Sequence, residues 1–237
     1  MDLVTQTLAR VWPAGEMAIP PRLVVVITLL ALAVTAVPQV WHVCRIGVTL
    51  VHELGHAVVG LAVGRRFTGF VVRGDTSGAT VTVGPDRGPG LVLTTWAGYP
   101  APAVVGTGLI AAAAHGWAAP VLTGTLVVLG ISVVRIRSLL TAAVLLGTLA
   151  AGIALWWWRD DQVQTAVLLG VGVVLLLGAG RQCWTVSRSR SSGSDPARLA
   201  TVTGIPRALW LATFWAVLAA AVAGSVALLL EATALLP

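Results

Sequence analysis

The stretch Val51-His52-Glu53-Leu54-Gly55-His56-Ala57-Val58-Val59 decides how this chain is read. It is an H-E-x-x-H element set inside a long apolar run. At 3.6 residues per turn, His52 and His56 stack on one helix face. Both imidazoles can then reach one tetrahedral zinc ion, with Glu53 placed as the general base on a zinc-bound water. Random placement of four His and three Glu among 237 residues would give the pattern roughly once in a thousand chains. The plainer reading is two satisfied histidines on a polar helix stripe. That reading weakens in a membrane helix, where ionisable side chains are expensive and functional. Gly55 and Ala57 keep the helix surface small beside the motif, which also suits ordinary packing in lipid.

Composition supports the membrane. The chain is 57% hydrophobic and 10% charged, with a mean hydropathy of +0.91, whereas a soluble domain is about a quarter charged. All 15 basic residues are arginine. They fall in short connectors between apolar spans and form no basic domain, so the net charge of +6 does not indicate nucleic acid. Cys44 and Cys183 fall at opposite membrane faces of the expected topology, which gives neither a disulfide nor a thiolate metal site. Asp2 and Glu16 dilute the positive charge expected of a signal peptide, so the first apolar run is read as retained.

Apolar runs near the ~20 residues needed to cross a bilayer predict seven transmembrane helices in one all-α membrane domain, residues 1–237. The spans are 23–40, 43–63, 91–114, 118–134, 139–158, 162–180 and 205–230. The second carries the motif. A polar, β-prone segment over 67–84 has the grammar of a cytosolic hairpin, two β-branched runs around Gly74-Asp75-Thr76-Ser77-Gly78. It reads either as an ordinary connector or as an edge strand able to pair with an extended substrate. A polar linker spans 181–204. With the N-terminus inside and the C-terminus outside, only Arg45 and Arg159 lie on the outer face, a strong positive-inside bias. Trp41, Trp117 and Trp156–Trp158 then mark the outer interface and Trp184 the inner one.

A catalytic zinc takes three protein ligands and leaves one position open. No third histidine follows His56 at a suitable spacing. His42, His115, Asp160, Asp161 and Glu231 fall toward the outer face, away from the expected depth of the motif, and Asp75 and Asp86 belong to the hairpin region. Asp195, in Ser194-Asp195-Pro196, lies inside. It reads either as a helix N-cap, since Asp before Pro is a common start signal, or as the third ligand.

The motif in a membrane helix, followed by a small hairpin, resembles the site-2 protease family of intramembrane zinc metalloproteases, above all its compact bacterial M50B-like group. The resemblance runs along most of the chain. It is carried by His52-Glu53-Leu54-Gly55-His56-Ala57, by Gly78-Ala79-Thr80-Val81-Thr82 and by Ala97-Gly98-Tyr99 with Pro102 and Gly106. Ser194-Asp195 with Leu199-Ala200, Thr203-Gly204-Ile205-Pro206 and Trp210 complete it. It implies that His52 and His56 bind Zn2+ and that Glu53 activates water. In the wider family the third ligand is an Asp in a Leu-Asp-Gly or Asn-x-x-Asp-Gly setting. This chain has no such motif, and Asp195 is its positional counterpart. The expectation is a zinc-dependent intramembrane endopeptidase acting on transmembrane protein substrates from within the lipid bilayer of the cell. Its oligomeric state is left open. Two other readings stand beside it. One is a catalytically inactive scaffold of the same fold, which would lack stoichiometric zinc. The other is a small metal transporter, disfavoured because no inverted halves or paired broken helices are visible.

Overall fold

The computed structural model describes residues 10–15, 19–136 and 138–234; Asp2, Glu16 and Arg137 lie outside them. The chain is helical apart from one hairpin. In order it forms α1 (Pro21–Ala36), α2 (Pro38–Ala62), β1 (Arg66–Val72), β2 (Gly78–Val83), α3 (Pro89–Trp96), α4 (Pro100–Ala114), α5 (Ala118–Ser132), α6 (Leu139–Trp157), α7 (Asp161–Arg188), α8 (Asp195–Thr203) and α9 (Arg207–Ala234). The apolar runs therefore became helices as read, but seven spans did not. Among the described residues, four helices are long and apolar enough to cross a membrane, and two bent pairs raise the number to six at most.

The bends explain the difference. α1 and α2 meet at 102°, where Pro38 removes an amide donor and stops α1 from running on. α1 has only 16 residues, about 24 Å of helix, short of a ~30 Å core. The apolar character of α2 is diluted by Arg45, His52, Glu53 and His56. By length and composition these two helices count together as one candidate element, a broken span or a re-entrant loop. The expected third span is also broken, by 62° between α3 and α4, with Ala97-Gly98-Tyr99 at the break.

The described chain ends meet at one end of the bundle. Ile19 and Ala232 belong to one buried cluster with Ala112, Ala113 and Ala114. The Arg10 guanidinium lies 4.5 Å from the centroid of the Trp157 ring, and the Ala14 amide donates to the Gly116 carbonyl at 3.0 Å. These contacts hold residues 10–19 beside the described end of α9. Trp41, read as outer, is covered by the guanidinium of Arg181, read as inner, at 4.4 Å. Cys44 and Cys183 are both free thiols. Cys44 packs beside Trp41 and Leu175 and Cys183 beside Leu199 and Phe214, all toward the Arg181 end of α7 and not at opposite faces. Hydropathy measures how apolar a run is and carries no information on its direction.

The centre of the bundle is α7, against which α4 packs through small residues. A Cβ placed at Gly106 would stand 2.8 Å from the Gly172 carbonyl oxygen and 3.2 Å from the Leu175 Cβ, so the two backbones approach too closely for a side chain. Thr107 donates to the Ala221 carbonyl at 3.0 Å, and Ser225 donates to Thr107 at 3.1 Å, tying α9 to the same face. We expect Gly106→Ala to destabilise the folded chain by about 1–3 kcal/mol through overpacking. Thermal unfolding in detergent would show it as a lowered midpoint, and an unchanged midpoint would refute the close contact.

The expected linker is mostly helix. α7 runs on to Arg188, and a short turn leads into α8. Arg207 donates to the carbonyls of Val186 and of Ser189, the latter at 2.9 Å, which fastens the start of α9 to the end of α7 and fixes where α8 can lie.

Candidate metal centre

α2 sets the first half of the site. Arg45, Thr49, His52, Glu53 and His56 recur at helical spacing and share one face. The other half comes from far along the chain. Asp195 opens α8, yet the N-cap position belongs to Ser194, so Asp195 is not the cap residue. Its Oδ2 instead lies 3.2 Å from Nε2 of His52 and 3.2 Å from Nε2 of His56. The two Nε2 atoms are 3.1 Å apart. Three potential ligand atoms thus form a nearly equilateral triangle, and these residues are the metal-capable cluster found among the described residues.

The protonation states show what the triangle suits. His56 Nδ1 is 2.7 Å from the Thr94 carbonyl oxygen. A carbonyl only accepts, so Nδ1 donates and the neutral ring keeps its lone pair on Nε2. That lone pair faces a carboxylate oxygen and a second imidazole nitrogen. Three electron-rich atoms converging at about 3 Å repel one another unless a proton or a metal ion lies between them. A carbonyl fixing the outer nitrogen of a histidine is also the usual support of a metal ligand. The donor set, two imidazoles and one carboxylate, is one that zinc accepts. The residues present therefore fit a divalent metal. His52 Nδ1 is buried without a partner among the described residues. The His52 ring is held instead by Tyr99, edge-on with centroids 4.8 Å apart, and Tyr99 stacks on Phe214.

Gly98 makes room for the triangle. A Cβ there would fall 2.6 Å from His52 Nε2 and closer still to His56 Nε2. The break between α3 and α4 thus brings bare backbone against the ligand atoms. Gly55 does the same on the opposite side, where a Cβ would stand 3.0 Å from the Ala97 carbonyl.

Glu53 is 4% exposed and lies outside the triangle. Thr80 on β2 donates its hydroxyl to Glu53 Oε2 at 2.5 Å and contacts the Glu53 carbonyl at 3.0 Å. A Cβ on Gly78 would collide with the Glu53 carboxylate. The hairpin therefore presses its backbone onto the acid. β1 and β2 are antiparallel, with Phe70 opposite Thr80 and a register shift between Phe67 and Gly69. The outer side of β1 is occupied, since Phe70 bridges to Ile136 and the Val72 amide donates to Thr141 Oγ1 at 2.9 Å. β2 has no second strand beside it among the described residues. In the turn, the Ser77 amide and hydroxyl donate to Asp75 Oδ1 at 2.9 and 2.7 Å. These bonds hold the Asp75 carboxyl below its ordinary range. Thr76 takes a positive φ of 66° and accepts a bond on its carbonyl from Thr49 of α2.

A cavity of about 810 Å³ opens over these groups, bounded by α2, the hairpin, α7 and α8. The remaining candidates lie elsewhere. His42 is exposed on α2. His115 Nδ1 donates to its own helix, to the Ala111 carbonyl at 2.8 Å. Asp160 caps α7, and Asp161 pairs with Arg159. Thr80, Gly98 and Thr94 were not picked out as site residues from the sequence. Gly98 and Thr80 stand in the stretches that carry the family resemblance, but nothing in their residue types marks a role.

A sequence model of one protein family, described as Peptidase M50B-like, matches residues 24–225. No curated protein matches, and no solved structure matches.

Proposed function

We propose, from the premise that the chain belongs to the Peptidase M50B-like family, that it is a zinc-dependent endopeptidase cutting transmembrane protein substrates within or beside the bilayer. The observation that carries this reading is the convergence of His52, His56 and Asp195 around one point, with Glu53 buried next to it. Zinc held there supplies Lewis acidity and makes water a nucleophile near neutral pH.

The chain's own residues supply the rest. Glu53 takes a proton from the attacking water and returns it to the leaving nitrogen. Thr80 holds the Glu53 carboxylate in place through Oε2, and the pressing backbone at Gly78 limits its other rotamers. A substrate helix must first unwind, because its carbonyls are tied up in helical bonds. The open side of β2 supplies main-chain donors and acceptors for such an unwound segment. The cavity end of the bundle carries Arg65, Arg73, Arg181, Arg198 and Arg207, which supports a cytoplasmic position for it under the positive-inside rule. Both described chain ends then face the other side.

The test is metal content. Purified protein should hold about one zinc per chain, with cleavage of a transmembrane reporter that a chelator removes. Asp195→Ala should weaken zinc binding by more than the 10–100-fold seen when only a supporting residue is lost. Unchanged zinc retention in that variant would remove Asp195 from the ligand set. A wild-type chain without zinc or cleavage would favour the inactive scaffold.

A further inference from the structure

We propose that the cavity selects an acidic segment of its substrate. Arg45, Arg181 and Arg198 form a carboxylate-binding wall that seats an Asp or Glu side chain close to the bond to be cut. This rests on the peptidase reading and adds the chemistry of the residue recognised.

All three arginines line the same cavity as His52, Glu53, His56 and Asp195. Each comes from an element that bounds the site. Arg45 lies on the face of α2 that carries Thr49, His52 and His56. Arg198 follows Asp195 by three residues on α8, one turn along the same face. Arg181 extends from α7, where its guanidinium covers Trp41 and donates to the Thr35 carbonyl. It is therefore held in place and not free to swing to the rim.

None of the three has a carboxylate partner among the described residues. Among the described residues, the ion pairs are those of Asp195 with the two histidines and of Arg159 with Asp161. The cavity's own acids are engaged, Glu53 by Thr80 and Asp195 by the histidines. Connector arginines follow from the positive-inside rule. Arg45 is not a connector residue: it lies within a 25-residue helix, where an unpaired cation is expensive. A water-filled cavity makes it tolerable, and an incoming anion makes it useful. The guanidinium fork matches a carboxylate in two parallel bonds. A division of labour follows. The backbone of β2 would fix the register of an extended segment without regard to sequence, and the arginines would choose which side chain enters.

The experiment is binding to the full-length Glu53→Gln chain in phosphatidylcholine nanodiscs. The probes are fluorescent transmembrane peptides identical except for one Asp, Asn or Lys, scanned through the juxtamembrane segment. At the matching position we expect the Asp peptide to bind about tenfold more tightly than the Lys peptide. Arg45→Gln and Arg198→Gln should each shrink that preference, added salt should weaken it, and Arg45→Glu should reverse it. Equal binding of the three peptides at every position, or none at all, overturns the proposal. So does a preference that disappears when anionic phosphatidylglycerol is included, since the arginines would then be holding a lipid headgroup. The wild-type arginines decide the matter even if a variant misfolds. The readout needs no cleavage, so cleavage by the wild-type chain is measured separately: Asp-selective binding without any wild-type cleavage would sink the peptidase reading and leave selective binding of an acidic segment standing.

Discussion

Glu53→Gln should lower peptide cleavage by about 10²–10⁴-fold, the range for loss of a positioned general base, while zinc content stays that of the wild type. The two side chains have the same shape. Glutamine can keep a hydrogen bond with Thr80, which now reaches Glu53 Oε2 at 2.5 Å, and can sit over Gly78 as the acid does. What it cannot do is accept and return a proton. Because Glu53 stands outside the triangle of His52, His56 and Asp195, the ligand atoms are untouched. Zinc measured by mass spectrometry and cleavage of a reporter in the same preparation separate the two roles. Cleavage within tenfold of the wild type would reject Glu53 as the base, and loss of zinc would show that it holds the ion.

Gly98→Ala should have an effect of similar size by a different route. The added methyl would overlap both ligand nitrogens, and His56 cannot simply turn away, because its other nitrogen is bonded to the Thr94 carbonyl. Either the triangle opens or the break between α3 and α4 shifts. Zinc affinity should fall by at least 10–100-fold, with cleavage lost alongside it and helix content preserved. Competition with a graded chelator reads the affinity directly. Wild-type affinity in Gly98→Ala would mean that the backbone gives way cheaply, and the close approach would then carry no function.

These two residues also show how much the sequence could tell. Glu53 announced itself through fixed spacing between two histidines, because helical periodicity converts sequence distance into direction. Asp195 could be reached by elimination among nine acidic residues, though its Asp-Pro setting alone favours a cap over a ligand. Ser194 takes the cap position and releases the Asp195 side chain toward α2. Gly98 and Thr80 were silent because their roles depend on what approaches them in space. The helices were legible as apolar runs. The 102° turn between α1 and α2 is marked in the sequence only by Pro38, and an apolar run gives no sign of a bend within it.

The late position of Asp195 has a consequence for biosynthesis. His52 and His56 leave the ribosome early, and the residue that completes their triangle lies near the end of a 237-residue chain. Arg207, which fastens the start of α9 to the end of α7 beside α8, comes later still. A nascent chain that has not reached α8 carries the motif but not the assembled centre, so the three side chains can come together only after most of the bundle has been synthesised.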